Sequence, residues 1–463
     1  MLNYHVKIGL APMRRDIAER PGTPTWRLAE ENSLAAVNYI REHFTSEQVT
    51  FTDLQGIHDT HVMYQDEDAE WVIRKFKAEN VDAVFLINGN FGNEQLAGAV
   101  ARGLNVPVCI WAPDRETFLP DGMRVYDSQC GLFGVSRILQ RFHIPFSHIE
   151  TCTPESETFQ QGFSRFIHVV CMVKNFRGMR IAQVGCRPGP FSSVIVNEGE
   201  LIEKFGLQIV PVNMAVVIDR YNRILRENDQ KLEEGAQLLQ ERYEVDEASR
   251  PNLKKMYAFV LLFRWIFETY HVQAASAECW TAMQLGVAAM PCVAYGVLAD
   301  QGYIVACEND IHGALTMALL SCAVQGKQIP FLGEFTCRHP ENKNAELLWH
   351  CGPFGYSLRK PDTPCRIVNN RQWFSVKDGA YTVARFDQDN GQYHLLAGMC
   401  RSVPGPYTFG TYLWGEFDSL SSWEKKLIEG PYIHHMAEIE GDVTEELREF
   451  CKYVPDLASD SVN

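Results

Sequence analysis

Hydrophobic and polar positions follow two rhythms along this chain. Compact apolar blocks at Val6–Leu10, Val49–Thr52, Ala83–Ile87 and Val106–Trp111 are separated by amphipathic stretches at Leu28–His43, Ala69–Glu79 and Gln95–Gly103. Short apolar runs between amphipathic helices are the pattern of parallel strands covered on both faces. A second such series begins near residue 166. There Arg180–Val184 and Leu207–Val212 read as strands around a helix at Ser193–Phe205. Two long helices follow, about Tyr221–Arg242 and Leu253–Tyr270, with Pro251 near the start of the second, where its missing N–H costs nothing. After about residue 346 the rhythm changes to short alternating strands and turns. Tyr381–Phe386, Asn390-Gly391 and Tyr393–Met399 predict a β-hairpin. The pattern predicts an α/β fold: two Rossmann-like parallel-sheet domains, residues 1–165 and 166–345, then a smaller, mostly β domain over 346–463 with a helical end.

Candidate chemistry concentrates between Gly302 and Gly352. The apolar runs Tyr303–Cys307 and Ile329–Leu332 each lead at once into acidic residues, Glu308 with Asp310 and then Glu334. The segment between them, about His312 to Val324, reads as an amphipathic helix ending before Gly326. A right-handed strand–helix–strand crossover places both strands parallel in one sheet. Both glutamates then stand at carboxyl ends of strands, where α/β proteins hold their ligands. Leu347–Trp349 delivers His350 in the same way. Two carboxylates and an imidazole in such places suit a hard metal ion, because a buried unpaired carboxylate is costly and a cation compensates it. Strand-end acids also cap helices, and Asp310 is placed to do so. A lone histidine between Trp349 and Cys351 is ordinarily a core residue satisfied by one hydrogen bond. His434 and His435 point to opposite sides if extended, so only one of them enters a given site.

Composition narrows the classes. A chain of 463 residues exceeds one ordinary core. Its net charge is −15, from 43 basic and 58 acidic residues, with no basic tract, which excludes nucleic-acid binding by phosphate neutralisation. The most apolar helical run, Tyr257–Phe267, is short and interrupted by Arg264, so no membrane span is expected. The opening MLNYHVKIGLAPMRR leads straight into a strand pattern, and a cytoplasmic protein is expected. Of 14 cysteines the closest pair is 13 residues apart. That spacing excludes CxxC and finger motifs and predicts buried free thiols such as Cys109, Cys171 and Cys292. The loops Gly89-Asn-Phe-Gly92 and Gly185-Cys-Arg-Pro-Gly189 lack nucleotide-loop spacing and read as tight βα turns. Arg14 and Arg15, just past the first strand, are placed either to grip a phosphate, sulfonate or hydroxyl-rich ligand or to be solvated.

The combination CEND…GALTM…FLGEF, then WHCG, then a late HHM, resembles the L-fucose isomerase / L-arabinose isomerase family. NFGNEQLAGAVARGLNVPVCIW is similar to that family's amino-terminal domain. The resemblance implies a metal-dependent aldose–ketose isomerase working through a cis-enediol, with Mn²⁺, or alternatively Mg²⁺ or Co²⁺, and no organic cofactor. Fucose isomerases hold the metal with a glutamate, an aspartate and a late histidine, which map to Glu308, Glu334 and His435. Glutamate at 334 follows the arabinose isomerases, whose additional histidine maps to His350. Glu308 and Glu334 are then both ligands and proton carriers, and Arg14, Arg15, Asp310 and His434 are the expected sugar contacts. Relatives are commonly hexamers, so a homo-oligomer is expected. The chain is shorter than a typical fucose isomerase in its carboxyl-terminal region. The sugar therefore stays open among L-fucose, D-arabinose, L-arabinose and C6-modified hexoses such as sulfonated ones. A sugar-binding protein without catalysis and a metal-enediolate epimerase or lyase are the competing readings.

Overall fold

A computed structural model describes residues 1–16, 25–287 and 289–462. The chain divides into two compact units, Tyr4–Lys174 and Asn175–Asn463 together with Met1–Asn3. In the first, β1 (Val6–Met13), β2 (Val49–Thr52), β3 (Ala83–Asn88), β4 (Val108–Trp111) and β5 (Phe146–His148) form a parallel sheet of order β2-β1-β3-β4-β5. Every residue of β3 and β4 is buried, as continuous apolar strands with both faces covered require.

The second unit holds two sheets. β6 (Arg180–Val184), β7 (Gln208–Val212), β9 (Ala274–Ala277) and β10 (Ile304–Cys307) make a parallel sheet of order β10-β9-β6-β7, while β8 (Glu244–Val245) lies elsewhere. The other sheet has ten strands and is mostly antiparallel. Its members, besides β8, are β11 (Phe331–Arg338), β12 (Ala345–His350), β13 (Arg366–Val368), β14 (Arg371–Ser375), β15 (Ala380–Asp389), β16 (Gln392–Ser402), β17 (Thr411–Glu416), β18 (His435–Glu440) and β19 (Leu457–Ser461). The fold class read from the sequence stands: two parallel-sheet α/β regions followed by a β-rich carboxyl-terminal region. The predicted hairpin is β15–β16.

Several local expectations are corrected. The strand after the helix does not return to the sheet of β10: β11 pairs antiparallel with β12 and β18. A short hairpin connection to β12 makes that local pairing easy, and the helix Ile311–Ala323 has no polar face to lay against solvent. All its residues are buried, so it is not amphipathic; it packs against β9 and β10 on one side and β15 and β18 on the other. The two predicted domain edges fall within continuous structure: the helix Glu157–Phe176 runs through residue 165, and β12 begins at Ala345. The long helix expected at Tyr221–Arg242 is two, Met214–Glu227 and Asp229–Arg242, because Asn228 leaves the helical region (φ −126°, ψ 36°). The helix expected from Ser193 starts only at Glu198, where the Asn197 side chain accepts from the Glu200 N–H. The carboxyl-terminal helices Leu420–Glu429 and Thr444–Cys451 alternate with β18 and β19. Cys109, Cys171 and Cys292 are buried free thiols. Among the described residues no helix is long and apolar enough to cross a membrane.

Glu346 on β12 gives the fold a pH signature. It is 7% exposed and sits in register with Arg338. Burial pushes its carboxyl up to about 7, with Arg338 opposing the shift and Glu424 adding to it. The folded chain therefore keeps a proton that the unfolded chain releases near 4.5. Stability falls as pH rises between those values and stays lower above them. Glu346→Gln is expected to raise the melting temperature at about pH 8 and to change it little near about pH 4. Calorimetry at the two pH values checks this, and an equal offset at both contradicts it.

Candidate metal centre

The chain leaves β10 through two consecutive left-handed residues, Glu308 (φ 61°) and Asn309 (φ 57°). Residues with a Cβ adopt that conformation only where the surroundings hold them there. Asn309 supplies the hold: its backbone N–H donates to Ala277 O at 3.1 Å and its side chain to Val184 O at 3.4 Å. Asp310 then caps the helix, accepting from the Gly313 N–H at 2.8 Å. On the ten-stranded sheet, Glu334 of β11 lies in register with His435 of β18 on one side and Trp349 of β12 on the other, next to His350. The carboxyl edge of one sheet thus meets three adjacent strands of the other.

The side chains converge. His435 Nε2 lies 3.4 Å from Glu308 Oε2 and 3.9 Å from Glu334 Oε1, and His350 Nε2 lies 3.5 Å from Glu334 Oε1. Ligand atoms of Glu308, Glu334 and His350 are within 4.8 Å of one another, and so are those of Glu334, His434 and His435. Glu308 Oε2, His350 Nε2 and His435 Nε2 are buried without a hydrogen-bond partner. Buried polar atoms are ordinarily paired. Of these three atoms, Glu308 Oε2 and His435 Nε2, gathered beside the Glu334 carboxylate, fit a divalent cation with oxygen and imidazole ligation.

The two imidazoles are turned in opposite senses. His435 Nδ1 donates to Asp310 Oδ2 at 3.0 Å, which leaves a lone pair on Nε2 facing the glutamates. His350 Nδ1 accepts the Cys351 backbone N–H at 2.8 Å. The neutral His350 ring therefore carries its hydrogen on Nε2, toward Glu334. The carboxylates differ too. Burial pushes Glu308 up, but the adjoining His435 and His350 imidazoles outweigh it and hold the group below its ordinary range. Burial pushes Glu334 up, and His350 and His435 offset it only in part. His434, half-buried beside His435, is pushed down to about 4 by burial and then by that neighbour.

Known proteins resemble this chain in sequence. A family model described as fucose/sulfoquinovose isomerase, N-terminal domain, matches residues 22–177. The chain is 24% identical over 393 residues to the sulfoquinovose isomerase of Priestia megaterium, covering 83% of this chain and 86% of that protein. It is 26% identical over 377 residues to that of Alkalicoccus urumqiensis, covering 80% and 83%. The sulfoquinovose isomerase of a Clostridium species matches at 24% over 384 residues, covering 78% and 82%. The amino-terminal region of the chain thus matches the fucose/sulfoquinovose isomerase model, and the chain as a whole is similar to these sulfoquinovose isomerases.

The structure brings together Glu308, Glu334, His350, His434 and His435. His434 joins its neighbour because it precedes the first residue of β18, where strict alternation of sides does not yet hold. Asp310 is no sugar contact. It is fully buried, its carboxylate taken by Gly313, His435 and Arg385, so it stands behind His435. Arg14 and Arg15 belong to the amino-terminal unit. Arg14 pairs with Glu30 at 2.7 Å and lies 3.5 Å over the Tyr64 ring. Arg15 lies 4.1 Å over Phe91 and lines a cleft with Asp66, Asn93 and Glu94. The sequence reading missed Arg385, whose signal was an arginine inside the apolar run YTVARF. It also missed Phe191, which follows the loop at Gly189 and packs on both His434 (5.8 Å) and His435 (5.4 Å).

If His435 supplies the ligand nitrogen and His350 an N–H, their variants part company. Mn²⁺ is expected to raise the melting temperature of the native chain and of His350→Gln, since a ligand bound only by the folded state stabilises it. His435→Ala is expected to lose most of that shift. Differential scanning fluorimetry with and without Mn²⁺ reads both, and an equal shift in all three proteins contradicts the assignment.

Proposed function

We propose that this sugar isomerase interconverts an aldose and its ketose through a cis-enediol at a divalent metal centre held by Glu308, Glu334 and His435. Mn²⁺ is the first candidate, ahead of Mg²⁺ and Co²⁺. The observation that carries the reading is the convergence of orphaned ligand atoms from the ends of β10 and β18 beside Glu334. A bound divalent cation supplies Lewis acidity to the two substrate oxygens and lowers the cost of enediolate charge.

The chain's own residues divide the remaining work. Glu308, held ionised, takes the proton from the sugar carbon and returns it to the neighbouring one. Glu334, whose carboxyl is raised, and His350, with hydrogen on Nε2, serve the oxygens, where a proton has to be given and taken back. Environments that push two carboxyls apart in this way assign base and acid between them. Phe191, over His434 and His435, keeps that side of the cluster dry.

The substrate we propose is a hexose with an anionic C6 substituent, of the sulfonated kind named for the relatives. One guanidinium group in the unit of the metal centre supports this. Arg187 follows β6, past the carboxyl end of that strand. It has no carboxylate within ion-pair distance among the described residues, and it donates to Gly189 O. Arg14, tied to Glu30, is less available.

The Mn²⁺-loaded protein, assayed on sulfonated hexoses, L-fucose and the arabinoses, is expected to turn over the sulfonated sugar fastest. Solvent deuterium is expected to enter the sugar carbon. Glu308→Gln and Glu334→Gln are each expected to lower turnover by roughly 10²–10⁴. Unchanged turnover in both variants contradicts the assignment of these carboxylates.

A further inference from the structure

Behind the metal centre runs a second chain of polar groups that the proposed chemistry does not use. Arg385 of β15 is 1% exposed, yet it carries a full charge into the core. Its Nη1 donates to Asp310 Oδ2 at 2.5 Å and its Nε to Asp387 Oδ2 at 2.9 Å. Asp387 is itself clamped, by His312 Nδ1 at 3.0 Å and by the Gln388 N–H at 3.0 Å. His312 stands on the helix Ile311–Ala323, whose amino end Asp310 caps. The network therefore closes on itself: cap, guanidinium, second carboxylate, and back to the same helix.

We propose that Arg385 is a positioning residue for the metal centre, acting through Asp310 to aim the Nε2 lone pair of His435. This rests on the reading of His435 as a ligand. Asp310 Oδ2 receives both Arg385 and His435 Nδ1, so one oxygen couples them. The guanidinium fork is planar and rigid and holds two carboxylates at fixed separation, which a lysine ammonium does not reproduce. Without it, Asp310 is an unpaired buried charge, and the group that orients His435 is no longer fixed. Partners that orient a metal-binding histidine ordinarily carry 10- to 100-fold of the metal affinity.

The proposal has an unusual sign. Arg385 is a cation close behind a cation site, so simple charge counting says its removal strengthens metal binding. Positioning says the removal weakens it. Mn²⁺ affinity, read from the electron paramagnetic resonance of the free aqueous ion with no sugar present, decides between them. Arg385→Gln is expected to bind Mn²⁺ roughly 10- to 100-fold more weakly. Asp310→Asn is expected to match it, and the double variant to be no worse than the weaker single one, because coupled residues are not additive. Arg385→Lys keeps the buried charge and serves if the Gln variant does not fold, as apo melting curves reveal; a loss of about tenfold is expected. Native or tighter Mn²⁺ binding in a folded Arg385→Gln or Arg385→Lys overturns the proposal, and so do additive losses in the double variant. His435→Ala is the control. Native affinity there overturns the ligand reading and this proposal together, whereas weak binding there beside native binding in the Arg385 variants overturns the proposal alone.

Discussion

One buried carboxylate joins the two sheets of the carboxyl-terminal unit. Asp310 is fully excluded from solvent and accepts from the Gly313 N–H, from Arg385 of β15 and from His435 of β18. Hydrogen bonds to an ionised acceptor are roughly twice as strong as neutral ones. Removing one partner of such a buried pair ordinarily costs about 3–5 kcal/mol. The placement depends on the helix that follows. Ile311–Ala323 is apolar on every side, so it is covered on every side, by the parallel sheet on one face and by β15 and β18 on the other. That sandwich brings Glu308, at the end of one sheet, against Glu334 and His435 of the other.

The elements legible in the sequence are those whose burial is continuous. β3 and β4 announce themselves as apolar runs, and the β15–β16 hairpin through Asn390-Gly391. The strand end carrying Glu308 was legible for the same reason, but Glu334 stands in the middle of β11 and not at its carboxyl end, because the strand runs on to Arg338 in its pairing with β12. Which sheet a short strand joins was not legible. Ile329–Leu332 fits either a parallel crossover or an antiparallel hairpin, because a local pattern says nothing of a distant partner. The apolar character of the intervening helix held the answer, since a helix without a polar face has to be covered twice. Asp310 was legible as a cap, but its two other partners lie 75 and 125 residues away and no local rule reaches them. The pair His434-His435 misled because alternation was applied across the first residue of a strand.

Two carboxylates in one cluster are pushed in opposite directions by their surroundings. Glu308 has His435 within hydrogen-bonding reach and His350 nearby, which overcome its burial. Glu334 is buried to a similar degree but feels the charge of Glu308 as well as the two imidazoles. The imidazoles differ by their backing: a carboxylate accepts from His435, a backbone N–H donates to His350. The same residue type thereby offers a lone pair in one position and a hydrogen in the other. The isomerase chemistry we propose uses both, a firm ligand and a donor that follows the oxygens.

Anomalous diffraction at the manganese edge from Mn²⁺-soaked crystals tests the central claim most directly. The account predicts one strong peak bounded by Glu308, Glu334 and Nε2 of His435, with Asp310 on the far nitrogen of that ring and the His350 N–H directed to Glu334. A cluster without a peak, or an ion bound to the glutamates with His435 turned away, contradicts it.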